Sequence, residues 1–306
     1  MNKKDKILEG FSTPVTSSLT EDEQQSQWQD RNRSWWETNP MRYDWREGIL
    51  APEFSREFFE EIDLRHFSDA ARYTPPKQLP FDELIPFDRL STWDVLEIGV
   101  GNGSHAQLLA PHCHSYTGID ITEYAVRSTQ RRFELFGLKG DIMQMDAEKM
   151  DFPDASFDFV WTWGVIHHSA NTEQVLREIQ RVLRPNGKCI VMVYHRSFLY
   201  YYIFTGFFRG VLTAGFLRTR SLHELVQLYT DGAIARFYTV TEWRKLVEKY
   251  FELEDLGIKG QKSELFPLPA STLKTAIMDV IPDSICRFIL NTLHQGSFLI
   301  SSLRRA

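Results

Sequence analysis

The chain has 306 residues, 42% hydrophobic and 25% charged, with a formal charge of −6 and a pI near 5.9. This is enough to bury a sizeable core, but it lacks the overall basic field that binding a phosphate backbone requires, so nucleic acid is not an expected partner. Cys113, Cys189 and Cys286 show neither metal-ligand spacing nor an even disulfide set, which suits a reducing compartment and implies no metal site.

Residues 1–26 are polar and aperiodic and read as a loose tail. Met1 to Gly10 lack the apolar core of a signal peptide, so a cytoplasmic location is expected. Residues 1–90 are expected to form a tail and helical cap. A helix begun near Trp28 should stop before Asn39-Pro40, because the residue before proline avoids the helical region. Phe54, Phe58, Ile62 and Phe67 predict a second helix. From Trp93 onward the pattern alternates, with strands near 93–98, 114–119, 140–145, 156–162 and 188–194 and helices near 103–111, 122–136 and 171–183. That alternation predicts one α/β domain over 91–306 with a doubly wound sheet. A helical lid insertion over 196–235 interrupts it. The insertion contains FLYYYIFTGFF (Phe198 to Phe208), which is too short to span a bilayer, so a buried or substrate-lining helix is expected ahead of contact with a membrane surface. Thr239-Val240-Thr241-Glu242 predicts a capping box and helix, followed by a strand over 251–258 and a last strand over 297–303.

The chemistry sits after the strands, where ligands bind in open parallel sheets. Gly99, Gly101 and Gly103 let the backbone turn tightly, but their G-x-G-x-G spacing departs from the dinucleotide fingerprint G-x-G-x-x-G. Asp120 ends the next strand about twenty residues on, where a carboxylate meets ribose hydroxyls; it is equally placed to cap the helix that follows. Asp146 lies after the third strand, in position for an adenine amino group. Glu97 is an acid on a strand expected to be buried, so it needs a cation or a donor. An acid beside the turn repels pyrophosphate and suits a cofactor with an amino group and a sulfonium, which favours S-adenosylmethionine over NAD.

These motifs, with Asp146-Ala147-Glu148, Phe152 to Asp158, Gly164-Val165-Ile166-His167-His168 and Glu178 to Lys188, resemble the class I S-adenosylmethionine-dependent methyltransferases. The resemblance is close to the ubiquinone-biosynthesis-methylase-like branch of small-molecule enzymes and is strongest over 93–195. It implies a seven-stranded sheet in the order 3-2-1-4-5-7-6 with the last strand antiparallel. It also implies that Glu97, Gly99, Gly101 and Gly103 hold the methionine part, that Asp120 addresses the ribose with Ile121 also on the cofactor, that Asp146 and Ala147 address adenine, and that Trp163 lines the site. Asn186-Gly187 stands where the family often has two glycines; asparagine tolerates the left-handed turn.

Methyl transfer needs a base only if the acceptor must lose a proton. His167, His168 and Tyr43 are the candidates, with Tyr194 and His195 as further ones. Trp36, Tyr194, Tyr200 and Tyr201 are expected to bind an apolar or aromatic acceptor, with Trp35 and Trp45 completing the cover; the alternative of equal weight is that these aromatics form the core of a helical cap. The expected activity is O- or C-methylation of a small molecule. The alternatives are a non-catalytic cofactor-binding subunit and, disfavoured by the glycine spacing, a nucleotide-dependent oxidoreductase. Nothing in the sequence fixes the oligomeric state.

Overall fold

The computed structural model describes residues 22–44, 48–219, 221–266 and 272–306. Helix α1 (Asp22–Thr38) begins within the stretch expected to be loose and stops before Asn39-Pro40, as the proline requires. Its start is missed because the first turn is wholly polar. The helix is held by its later aromatics: Trp28 and Trp35 are buried against Ala170, Ala233 and Ile234. Helix α2 (Arg56–Tyr73) starts at Ser55, whose hydroxyl accepts from the Phe58 amide at 3.1 Å. Its buried stripe is Phe58, Phe59, Ile62, His66, Ala70 and Tyr73. A single turn, α3 (Phe87–Leu90), leads into the sheet.

The sheet domain then runs β1 (Asp94–Ile98), α4 (Ser104–Leu109), β2 (Ser115–Asp120), α5 (Glu123–Phe136), β3 (Asp141–Gln144), β4 (Phe157–Trp163), α6 (Thr172–Val182) and β5 (Leu183–His195). A π-helical segment (Phe198–Leu212), α7 (Leu222–Tyr229), β6 (Phe237–Tyr238), α8 (Val240–Val247), β7 (Glu252–Lys259), α9 (Thr272–Val280), α10 (Asp283–Arg287) and β8 (Phe298–Arg304) follow. The order is β3-β2-β1-β4-β5-β8-β7, with β8 antiparallel to both its neighbours. This is the predicted arrangement with one addition: β6, two residues long, pairs parallel with the end of β5. The capping box at Thr239 and Glu242 is present.

Successive side chains of a strand point to opposite faces, and the core divides accordingly. Leu96, Val160, Val191 and Val193 pack under α6 and α8, while Val95, Phe159, Trp161, Ile190 and Met192 pack under α4 and α5. Each fully buried aliphatic side chain contributes roughly 1.5–3 kcal/mol, so the sheet is rigid and its strand ends are fixed points. The cap is tied to this frame by polar contacts. Arg132 of α5, fully buried, donates from one Nη to both carboxylate oxygens of Asp63 on α2 at 2.9 and 2.8 Å. Glu37 of α1 accepts from the Glu123 and Tyr124 amides at the start of α5, at 2.9 and 3.0 Å, where the helix dipole favours an anion.

Candidate functional site

A cavity of about 960 Å³ opens at the carboxyl ends of β1 to β4. Its floor is the glycine turn with Asp120, Ile121, Asp146, Ala147 and Trp163, and its roof is Gln29, Trp36, Met41, Tyr43 and one face of α2. Lys274 and Met278 of α9 also contribute.

The glycine turn is shaped by close approach. Gly99 has φ +81°, and a Cβ there would lie 2.3 Å from a Val165 methyl. Gly101, φ +54°, has no atom within 4 Å of where its Cβ would be, so its backbone faces open cavity. Its amide donates to Asp120 Oδ2 at 3.2 Å. Gly103 adopts the left-handed conformation at the start of α4 and faces Thr129 and Arg132, so it shapes the turn from behind and does not line the cavity.

Asp120 accepts on Oδ1 from the Thr122 amide (2.9 Å) and hydroxyl (2.8 Å). The cap of α5 is Thr122, which accepts from the Ala125 amide at 3.3 Å, so Asp120 is not that cap. Burial pushes the Asp120 carboxyl above its ordinary range, against the hydrogen bonds that hold it charged. Asp146 Oδ1 accepts from the Glu148 amide and from Gln29 Nε2 of α1, both at 2.9 Å. Two carboxylates with lone pairs to spare and an open glycine backbone are a donor and acceptor set that fits ribose hydroxyls, an adenine amino group and an amino-acid tail.

Glu97 finds the donor its buried position requires but does not reach the cofactor cavity. It is buried and absent from the cavity wall, and Oε2 accepts from the Tyr116 hydroxyl at 2.6 Å. Gly118 faces Glu97 across the β1–β2 ladder, and the Tyr116 hydroxyl occupies the space a side chain would take there. Burial pushes the Glu97 carboxyl up to about 8, with the Tyr116 hydrogen bond opposing. A carboxyl that is neutral near pH 7 repels no pyrophosphate, so the charge argument built on Glu97 does not hold in this fold. A consequence follows for stability. The folded state keeps this proton up to about pH 8 while the unfolded chain releases it near 4.5, so folding binds a proton across that interval and stability falls as pH rises through it. Glu97→Gln, which keeps the acceptor for Tyr116, is expected to remove most of this decline, on the order of a few kcal/mol. Denaturant unfolding across that pH interval measures it, and parallel slopes in variant and parent would refute it.

The histidine pair separates. His167 is fully buried, lies outside the cavity wall, packs its ring 3.9 Å from Tyr194 and 4.1 Å from His168, and has no hydrogen-bond partner on either ring nitrogen. It is not placed to meet an acceptor. His168 lines the cavity with its ring 4.9 Å from Trp36, and its Nδ1 approaches the Ile234 carbonyl at 2.6 Å. A carbonyl only accepts, so the neutral ring carries its proton on Nδ1 and its lone pair on Nε2. Tyr43, Trp36 and Tyr194 also reach the cavity, and burial raises the Tyr43 and Tyr194 phenols. His195 does not reach it; its Nδ1 lies 2.8 Å from the Gly296 carbonyl.

Tyr200 and Tyr201 do not line the cavity. They pack on Phe237, which stacks on Tyr194 at 5.1 Å, and the Tyr201 hydroxyl pairs with His223. The aromatic part of the insertion thus stands one layer behind the wall because β6, absent from the predicted strands, is interposed, while Asp231 near the insertion's end lines the cavity. Trp45 lies outside the described residues, and Trp35 packs beneath α1 in the cap core.

The sequence reading missed a second pair. His66 of α2 and His105 of α4 meet at 3.1 Å between their Nε2 atoms, on the cavity wall, enclosed by Tyr43, Phe81 and Trp161. One ring must donate and the other accept, so both cannot be protonated. Burial pushes His66 down to about 4 and His105 well below its ordinary range. The available signal was that His66 falls in register with Ile62 and Ala70 on the buried stripe.

Residues 96–191 match the family described as methyltransferase domain. Over 100 residues, 32% of the chain, it is 40% identical to phthiotriol/phenolphthiotriol dimycocerosates methyltransferase 1 of Mycobacterium ulcerans, covering 36% of that protein. It is 34% identical over 100 residues, 32% of the chain, to a phosphatidylethanolamine N-methyltransferase of Cereibacter sphaeroides, covering 49% of it. A probable S-adenosylmethionine-dependent methyltransferase of Mycobacterium tuberculosis is 33% identical over 119 residues, 39% of the chain and 41% of that protein. The chain spans between about a third and a half of the length of these curated relatives.

Proposed function

We propose that this chain is a class I S-adenosylmethionine-dependent methyltransferase and that it transfers the methyl group to an oxygen or carbon of a small, partly apolar acceptor. The observation that carries the reading is the continuity of one cavity from Gly101, Asp120 and Asp146 to the chamber of Trp36, Tyr194 and Trp163. When bound, the cofactor supplies a methyl group already activated by a sulfonium. Asp120 would hold the ribose hydroxyls, Asp146 and the Ala147 backbone the adenine, and the open backbone at Gly99 to Gly101 the amino-acid tail. The chain's remaining work is orientation and exclusion of water, bringing the acceptor to roughly 3 Å of the methyl carbon. Trp36, Tyr194 and Trp163 supply flat apolar walls for that purpose. Nε2 of His168 takes the proton from an acceptor hydroxyl, in the tautomer its contact with Ile234 dictates. A nitrogen acceptor is the second reading, favoured by similarity to the phosphatidylethanolamine N-methyltransferase.

Titration calorimetry with S-adenosylmethionine and, separately, NAD tests the cofactor. Heat is expected with the first alone, and folded protein that binds no S-adenosylmethionine would sink the proposal. Transfer of radiolabelled methyl to hydroxylated and amino-bearing lipids then separates the two acceptor readings, and binding without transfer to any acceptor would favour a non-catalytic subunit.

A further inference from the structure

The π-helical segment Phe198–Leu212 has two unlike faces. Tyr201, Thr205, Gly206 and Gly210 are buried, and the small residues among them admit Leu222 of α7 and Phe216 closely. The other face is bare. Phe198, Phe207, Val211 and Leu212 are about half exposed, at 49–60%, and Leu217 just beyond is 88% exposed. A monomeric protein rarely leaves so much contiguous apolar surface to water unless something covers it. No described helix is long and apolar enough to cross a membrane, so the face is a surface feature.

Charge identifies what covers it. From Ser197 to His223 the sequence contains no aspartate or glutamate and three arginines, Arg209, Arg218 and Arg220, in a chain whose net charge is −6. Arg218 is exposed at the end of the apolar run, while Arg209 turns inward, its guanidinium over the Tyr229 ring at 4.3 Å and one Nη buried. Exposed aromatic and aliphatic side chains that end at an arginine match the boundary between acyl chains and anionic headgroups. A second copy of the chain fits poorly. A two-fold interface would face this patch with itself, setting Arg218 toward its own copy with no acid in the segment 197–223 to pair with it. We propose that residues 198–217 dock the protein on the surface of an anionic phospholipid bilayer, with Phe207, Phe208 and Leu212 entering the interface and Arg218 meeting headgroups. This docking stands apart from methyl transfer and needs no cofactor or acceptor.

The test is co-sedimentation of the full chain with vesicles of phosphatidylcholine alone and of phosphatidylcholine mixed with phosphatidylglycerol. Binding is expected to the mixed vesicles only, and to weaken with added salt. The variant carrying Phe207→Ser and Phe208→Ser should bind at least about tenfold more weakly. Arg218→Ala should bind about fivefold more weakly while keeping the parent melting temperature because its side chain is exposed, and the double phenylalanine variant, whose changed side chains are about half exposed, should keep the parent circular-dichroism spectrum. No binding to mixed vesicles, equal binding to both kinds, or a dimer in sedimentation velocity that the double phenylalanine variant dissociates would each overturn the proposal.

Discussion

Asp63→Ala will cost about 3–5 kcal/mol of unfolding free energy, the largest stability effect expected from a single polar substitution in this chain. The reason is the state of the partner left behind. Arg132 is wholly buried, sits over the Phe59 ring at 4.5 Å, and has Gln107 Oε1 at 3.1 Å as its other close acceptor. A guanidinium does not shed its proton in a protein, so removing the carboxylate leaves a full charge in an apolar enclosure. The pair itself stabilises the fold much less than its disruption costs, because bringing both charges out of water offsets most of their attraction. Two variants separate these quantities. The single substitution should show the full loss in denaturant unfolding, whereas Asp63→Leu combined with Arg132→Met should recover most of it. A single variant within about 1 kcal/mol of the parent would mean that water reaches Arg132 and replaces the carboxylate. The same pair is a tie between the cap helix α2 and the sheet domain, so its loss should also be felt at the cavity roof, where His66 lies one turn further along α2.

The sheet was legible because its signals are local. Apolar runs end in glycine or aspartate, α5 and α8 begin at threonine caps, and the parallel crossovers leave few arrangements open. What was not legible depends on neighbours far apart in sequence. Nothing near Glu97 announces that Tyr116 will reach it over Gly118, and that contact, not the local sequence, sets the environment of the Glu97 carboxyl. His66 and His105 are 39 positions apart and meet only because α2 folds over the glycine turn. The aromatic insertion is legible as helical from its composition, but nothing in it decides between a buried and an acceptor-lining place: β6 slips between it and the cavity, leaving Tyr200 and Tyr201 behind the wall and the outer face of the segment bare. His167 and His168 show the limit of resolution in such a reading, since adjacent residues on one short turn point to different surroundings.

Asp120→Ala is expected to weaken binding of S-adenosylmethionine by roughly one to two orders of magnitude, the largest functional effect of a single cofactor-site substitution. A carboxylate that accepts two ribose hydroxyls makes charge-assisted hydrogen bonds, each worth more than its neutral counterpart. The loss should be specific. Thr122 caps α5 through its own hydroxyl, and the Gly101 and Thr122 amides that turn toward Asp120 lie on the cavity floor, where water can take the carboxylate's place. Unfolding free energy should therefore fall by only about 1–2 kcal/mol, with the fold intact. Asp120→Asn keeps one acceptor oxygen and loses the charge, so its affinity should lie between the parent and the alanine variant. The pH dependence carries the same logic. Burial raises this carboxyl above its ordinary range, and the form that accepts both hydroxyls is the carboxylate, so affinity in the parent should decline with acidification at a higher pH than an exposed aspartate would give, and the asparagine variant should lack that decline. Calorimetric titrations of the three proteins across that range decide the matter. An alanine variant that binds as tightly as the parent would mean that Asp120 serves only to brace the glycine turn against Thr122.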